Sequence, residues 1–206
     1  MKFEEWDPLY EEILDYFAFD RVGDEEAARL LASLLPRDDL ALLEGLCQGK
    51  TVTVCGNAPS LPRETGRIEG TVFAADAAAD VLYSRGIRPD AVFTDLDGAT
   101  DSLVAMNREG TVVVVHAHGD NISLLRHWVP KLPGPLVGTT QAAPFGGIHN
   151  FGGFSDGDRA AFAAHALGAA RVSLVGFDLD DPDVDPVKRG KLLWARRLLA
   201  LLGHDI

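Results

Sequence analysis

Three acidic, glycine-punctuated segments carry the residues that could do chemistry: Thr94-Asp95-Leu96-Asp97-Gly98, His116-Ala117-His118-Gly119-Asp120-Asn121, and Asn150-Phe151-Gly152-Gly153-Phe154-Ser155-Asp156-Gly157-Asp158-Arg159. Asp95 and Asp97 are one residue apart. On extended backbone their side chains lie on one side and can share a cation; the plainer alternative is a strand-end turn, for which Asp-Gly is a common pair. Adding Asp120 weakens that alternative, because carboxylates brought together repel unless a metal or proton intervenes. Asp95, Asp97 and Asp120 are therefore the candidate metal ligands. Zinc would want three or four His or Cys ligands, whereas an oxygen-rich surround favours Mg2+ and leaves His116 and His118 for phosphate contact or proton handling. The competing reading makes Asp120 a helix cap and the two histidines core residues.

In the third segment, glycines let backbone approach a ligand, and Phe151 and Phe154 can stack on a flat ring or simply fill the core. Asp156 and Asp158 can pair with the donor edge of a heterocycle, and Arg159 can hold phosphate or lock one aspartate. Gly56-Asn57-Ala58-Pro59-Ser60-Leu61 reads as a phosphate-facing turn, but it is neither a Walker loop nor a dinucleotide fingerprint. Asp178, Lys188 and Lys191 could complete the site, with a solvated helix face as the alternative for the lysines.

These residues need a scaffold. Short apolar runs at Thr51–Cys55, Thr71–Ala74, Ala91–Phe93, Thr111–Val115, Leu136–Gly138 and Val172–Val175 read as buried strands. Helical stretches fall between most of them, at Asp76–Ser84, Asp101–Arg108, Asn121–Val129 and Gly157–Leu167, and a last helix spans Val187–Leu202. Alternation of this kind predicts an α/β fold: a mostly parallel, doubly wound sheet with helices on both faces and ligands at the strands' carboxyl ends. Residues 1–48 differ, with apolar residues at helical spacing from Phe3 to Phe17, a helix over Glu25–Leu35 ending at Pro36, and another over Asp38–Cys47. The expected organisation is a helical N-terminal layer at 1–48 and an α/β catalytic domain at 49–206.

A chain of 206 residues with 47% hydrophobic content can bury a substantial core. Its net charge of −12, without clustered Lys or Arg, argues against nucleic acid as a partner. A nucleotide ligand would then need a divalent cation to screen phosphate from carboxylate. No apolar run approaches the ~20 residues that span a bilayer, and Met1-Lys2-Phe3-Glu4-Glu5 lacks the order of a signal peptide, so a cytoplasmic location without membrane partners is expected. Cys47 and Cys55 read as buried free thiols. Apolar residues on the N-terminal helices would suit a homodimer contact.

Taken together, the segments resemble the archaeal 6-hydroxymethyl-7,8-dihydropterin diphosphokinase (MptE-like) family, which carries a G-x-G-P-S-L turn, T-D-L-D-G, H-A-H-G-D-N and N-F-G-G-F-[ST]-D-G-D-R. The resemblance runs from about Val52 to Leu193 and departs at Ala58, where the family often has glycine. It is also similar, more distantly, to thiamin diphosphokinases. The resemblance implies transfer of diphosphate from ATP, with Mg2+, to a small reduced pterin, releasing AMP, on the way to folate or tetrahydromethanopterin. Carried onto this sequence, it implies metal at Asp95, Asp97 and Asp120, with Asp97, Asp120 and His118 catalytic. It places Gly56, Asn57, Ser60, His116, Asn121, Arg159 and Lys191 toward ATP, and Asn150, Phe154, Asp156 and Asp158 toward the pterin. Thiamin as acceptor, a nucleotide-sugar donor in a glycosyltransferase-like enzyme, and a nucleotide-sensing module without turnover remain as alternatives.

Overall fold

The computed structural model describes residues 1–204. Valine- and alanine-rich runs bounded by glycine and proline become the strands β1 (Thr51–Cys55), β2 (Thr71–Ala75), β3 (Ala91–Thr94), β4 (Val112–Ala117), β5 (Leu136–Thr140), β6 (Ile148–His149) and β7 (Arg171–Val175). They form one seven-stranded sheet in the order β6-β5-β4-β3-β2-β1-β7, and every pairing within it is parallel. β6 has two residues, too few to leave a pattern in the sequence.

Handedness explains where the helices go. From β1 to β6 the chain steps in one direction, so right-handed crossovers put α4 (Leu61–Glu64), α5 (Ala78–Tyr83), α6 (Asp101–Arg108) and α7 (Ile122–Trp128) on one face. The step from β6 back to β7 runs the other way and carries α8 (Asp156–Ala166) over the opposite face. Strand alternation supplies both cores: Val113 and Val115 pack with Leu82, Met106 and Leu125, while Val112 and Val114 pack with Ala160, Ala161, Ala163 and Ala164 of α8. Both faces are covered, which is why the strands read as continuous apolar runs.

The three helices expected over 1–48 form as α1 (Phe3–Phe17), α2 (Arg21–Leu34) and α3 (Leu40–Cys47), but they do not make one layer. α2 joins the first core through Ala27, Ala28 and Leu31, and it fits there because β5 has Gly138, where a Cβ would come within 2.7 Å of the Leu35 side chain. α3 joins the opposite core through Leu43 and Cys47. α1 packs Trp6, Tyr10 and Ile13 with Phe154 and Phe162 and with Trp194 and Leu198 of α9 (Pro186–Leu201). Cys47 and Cys55 are buried free thiols, each pushed up by burial to about 12. Among the described residues no helix is long and apolar enough to cross a membrane.

Candidate active site

All strands being parallel, their carboxyl ends share one edge, and the acidic loops leave from it. Asp76 is the first residue past β2, Asp95 the first past β3, and Asp156 the first of α8. Among the described residues these three form the one group of potential metal ligands in which one atom from each lies within 4.8 Å of the others. Thr94 arranges two of them: its hydroxyl donates to Asp76 Oδ1 at 2.7 Å and accepts the Leu96 N–H at 2.8 Å. Leu96 has φ 72°, so the chain does not stay extended between Asp95 and Asp97. It turns, with the Asp97 N–H on Asp95 Oδ1 at 3.1 Å. Burying the Leu96 side chain holds this turn and sends Asp97 out to the rim. Ala18, Asp76 and Leu96 are the non-glycine residues with positive φ among those described, and all three belong to segments that build the site. Strain concentrated in this way is characteristic of functional sites.

The carboxylates face a cavity of about 880 Å3 that Asp97, Asp120, His118, Phe154, Arg159, Lys188 and Lys191 also line. Burial, followed by the charges of Asp95 and others, raises the Asp76 carboxyl. Asp156 is pushed well above the usual carboxylate range, first by burial, with Arg159 opposing and Asp95, Asp76 and Asp97 adding repulsion. At Asp95 burial pulls upward, but hydrogen bonds from His118 and Asp97 and the charge of Arg159 outweigh it and hold the group below the usual range. His118 Nδ1 accepts the Asp120 N–H at 3.3 Å, which leaves the neutral ring's proton on Nε2, 3.4 Å from Asp95 Oδ2. The histidine thus orients Asp95. Arg159 pairs with Asp156 at 3.2 Å.

Several residues expected from sequence have other work. His116, the next-to-last residue of β4, has Nδ1 3.0 Å from Thr139 Oγ1 and is buried; burial and nearby Arg159 and His118 push it well below the usual imidazole range, which favours the neutral ring. Asn121 spends its whole amide on backbone: Nδ2 donates to Asp95 O and His116 O at 2.8 and 2.7 Å, and Oδ1 accepts from His118 N at 3.1 Å. Asn150 does the same, tying its own loop to the one after β5 through Gln141 O, Ala142 O and Gly152 N. Asp158 is fully buried and accepts from the Phe154 and Ser155 N–H groups and the Ser155 hydroxyl. Gly56, Asn57 and Ser60 lie outside the cavity lining. Their turn is knitted to the exit of β7, with the Ala58 N–H on Gly176 O at 2.9 Å, and a Cβ on Gly56 would meet Gly176 O at 2.7 Å.

The trio expected from sequence was Asp95, Asp97 and Asp120; Asp95 meets Asp76 and Asp156 instead, with Asp97 and Asp120 on the same cavity. Asp76 was not among the ligands expected from sequence because it also reads as a helix start, although its place just past a strand matches that of Asp95. Asp24 and Gln141 were missed because neither sits in a motif. Asp24, on α2, accepts from Tyr10 Oη, Gln141 Nε2 and the Gly119 N–H at 2.6, 2.6 and 2.9 Å, so the N-terminal helices brace the His118–Asn121 loop. Three converging carboxylates with repulsion to relieve, and no sulfur or nitrogen among them, fit a hard divalent cation.

A sequence model of the family described as "MptE-like: 6-hydroxymethylpterin diphosphokinase MptE-like" matches residues 27–184. Aligned over its full length, the chain is 41% identical to the 6-hydroxymethyl-7,8-dihydropterin pyrophosphokinase of Methanothermobacter thermautotrophicus, covering 97% of that protein. It is 42% identical to the one from Pyrococcus furiosus, covering 96% of it. Among solved structures, the MAf glycosyltransferase from Magnetospirillum magneticum AMB-1 overlaps 78% of this chain and 29% of its own, at 16% identity and a TM-score of 0.46. Asp76, Asp95 and Asp156 all fall inside the matched span, and the chain belongs to the MptE-like 6-hydroxymethylpterin diphosphokinase family.

Proposed function

We propose that this chain transfers the terminal diphosphate of ATP to the hydroxymethyl oxygen of 6-hydroxymethyl-7,8-dihydropterin, releasing AMP, with Mg2+ held by Asp76, Asp95 and Asp156. The observation that carries this reading is the convergence of those three carboxylates in a cavity that also offers cations, in a chain of this family. In such a reaction the acceptor oxygen bonds to the β-phosphorus as the α–β bridging bond breaks, so positioning and charge neutralisation dominate. Bound Mg2+ would neutralise polyphosphate charge that the carboxylates would otherwise repel.

The chain's own groups divide the remaining work. Arg159 is paired with Asp156, so Lys188 and Lys191, lining the cavity from the first half of α9, are the cations that meet the phosphates. Both ring nitrogens of His118 are engaged, which leaves the acceptor's hydroxyl proton to a carboxylate oxygen of Asp97. That carboxyl is raised by burial, then by Asp95 and Asp76, which makes it a better base. Asp120 stands on the rim as a further oxygen donor.

Incubation with ATP, Mg2+ and the reduced pterin should give AMP and the pterin diphosphate in equal amounts. ADP as the nucleotide product, or equal use of thiamin, would overturn the reading. Lys191→Ala should raise the KM for ATP by about tenfold, as expected for a lost charge-assisted contact, with the pterin KM unchanged.

A further inference from the structure

Of the residues expected from sequence to contact the acceptor ring, Asn150 and Asp158 are consumed by backbone hydrogen bonds and Asp156 joins the carboxylate trio, so Phe154 remains and the ring's polar edge needs another partner. Two side chains of the cavity wall carry a buried polar atom with no partner among the described residues, Arg159 Nε and Gln141 Oε1, and only the second is an acceptor. Gln141 lines the cavity and is 4% exposed. Its Nε2 donates to Asp24 Oδ2 at 2.6 Å, and because a carboxylate only accepts, this bond fixes the amide's orientation. The other end, Oε1, is buried without a donor among the described residues. A buried acceptor left unmet costs about 1–3 kcal/mol, so a site that keeps one is built for a ligand that supplies the hydrogen.

The surroundings say what kind of ligand. Asp20 lines the same wall, and its two oxygens accept the Val22 and Gly23 N–H groups at 3.1 and 3.2 Å. The Gly119 N–H is already given to Asp24. This wall therefore presents acceptors. Two flat apolar rings adjoin it: Phe19 and Phe154 line the cavity with centroids 6.4 Å apart, and Phe17 backs them at 5.2 and 5.1 Å. Phe154 lies two residues before Asp156 in sequence, so the aromatic wall abuts the carboxylate trio, where a diphosphate acceptor has to sit. Lys188 and Lys191 line the cavity from α9.

We infer that Phe19, Phe154 and Gln141 form the acceptor-ring subsite, with Gln141 Oε1 accepting a hydrogen from the amino-pyrimidinone edge of the pterin. This rests on the proposed function for the ring's identity. The pterin's 2-amino group and N3–H are contiguous donors, whereas the adenine edge alternates donor and acceptor and would turn a lone pair toward acceptor groups. A subsite of this kind selects for the 2-amino group, since an analogue lacking a hydrogen leaves the wall unsatisfied.

The test is calorimetric binding, with Mg2+ and α,β-methylene-ATP present, of 6-hydroxymethyl-7,8-dihydropterin and of the analogue with oxygen in place of the 2-amino group. The native chain should prefer the pterin by at least about tenfold, and Gln141→Met should cut that preference about tenfold while leaving affinity for the ATP analogue within twofold. In that variant Asp24 keeps Tyr10 and Gly119. Should it nevertheless fail to fold, Phe19→Leu, at an exposed position, should weaken pterin affinity at least fivefold with the ATP analogue unaffected. No preference in the native chain, a preference that survives Gln141→Met, or an unchanged affinity in Phe19→Leu overturns the subsite. Selective binding without AMP formation from ATP overturns the proposed function and leaves the subsite standing.

Discussion

At the scale of single residues, Asp76 decides most. It is placed by Thr94, which holds its Oδ1, and by a left-handed φ of 44°, an arrangement that keeps its carboxylate beside Asp95 and Asp156. Asp76 and Asp156 are raised in the fold. A carboxyl raised by folding holds its proton more tightly folded than unfolded, so its contribution to metal-free stability is greatest at low pH and is lost as pH rises through the folded value. Asp76→Asn should therefore have two effects. Diphosphate transfer should fall by about 100-fold or more, as when a main electrostatic group leaves an active site. The metal-free variant should melt no lower than the native chain at neutral pH, because repulsion is relieved and the Thr94 bond is kept. Thermal melts with and without Mg2+ check both sides; a metal-free variant that melts well below the native chain would show that Asp76 is there for stability. Sequence pointed to Asp95 and left Asp76 in a helix, since an aspartate between alanines satisfies a cap as readily as a ligand site and only the strand pairing makes it a neighbour of Asp95.

At the scale of elements, the site depends on how the loops after β3 and β4 are held to each other. Asn121 does this, with its three hydrogen bonds to Asp95, His116 and His118. Asn121→Ala removes the amide from the buried His116 carbonyl and from the part-buried Asp95 carbonyl and His118 N–H, at a cost of about 2–3 kcal/mol. Melting temperature and turnover should therefore fall together, unlike Asp76→Asn, where only turnover falls; a variant that loses activity at native stability would make Asn121 a ligand contact after all. The strands and most helices were legible because burial on both faces writes continuous apolar runs, and α8 was legible as the alanine-rich stretch over Gly157–Leu167. The roles of Asn121, Asn150 and Asp158 were not. A buried amide or carboxylate that saturates backbone has the same residue type and spacing as one that meets substrate, and only the partners tell them apart. β6 left too short a signal, and the loop after β3 departs from the extended form because Leu96 is worth more buried than its backbone strain costs.

At the scale of the whole molecule, segment 1–48 differs in composition from the rest of the chain, yet folding ties it in at several points. Tyr10 from α1 and Gln141 from the end of β5 meet on Asp24 of α2, which also holds Gly119 beside His118. Trp6 Nε1 donates to Gln141 O at 2.8 Å, and α1 shares a core cluster with Phe154 and Trp194. The cavity's aromatic wall takes Phe19 from the corner between α1 and α2. An N-terminal segment joined in this way should not melt by itself. Amide exchange in α1 and α2 should be protected to the same degree as in β4, and thermal unfolding should be a single transition. Tyr10→Phe removes one donor from the buried Asp24 and should lower that transition as a whole, by about 2–6 °C for a loss of about 1–1.5 kcal/mol in a chain of this size. Early exchange confined to α1 and α2, or a separate low-temperature transition in the variant, would mean that the helices ride on the catalytic sheet instead of completing it.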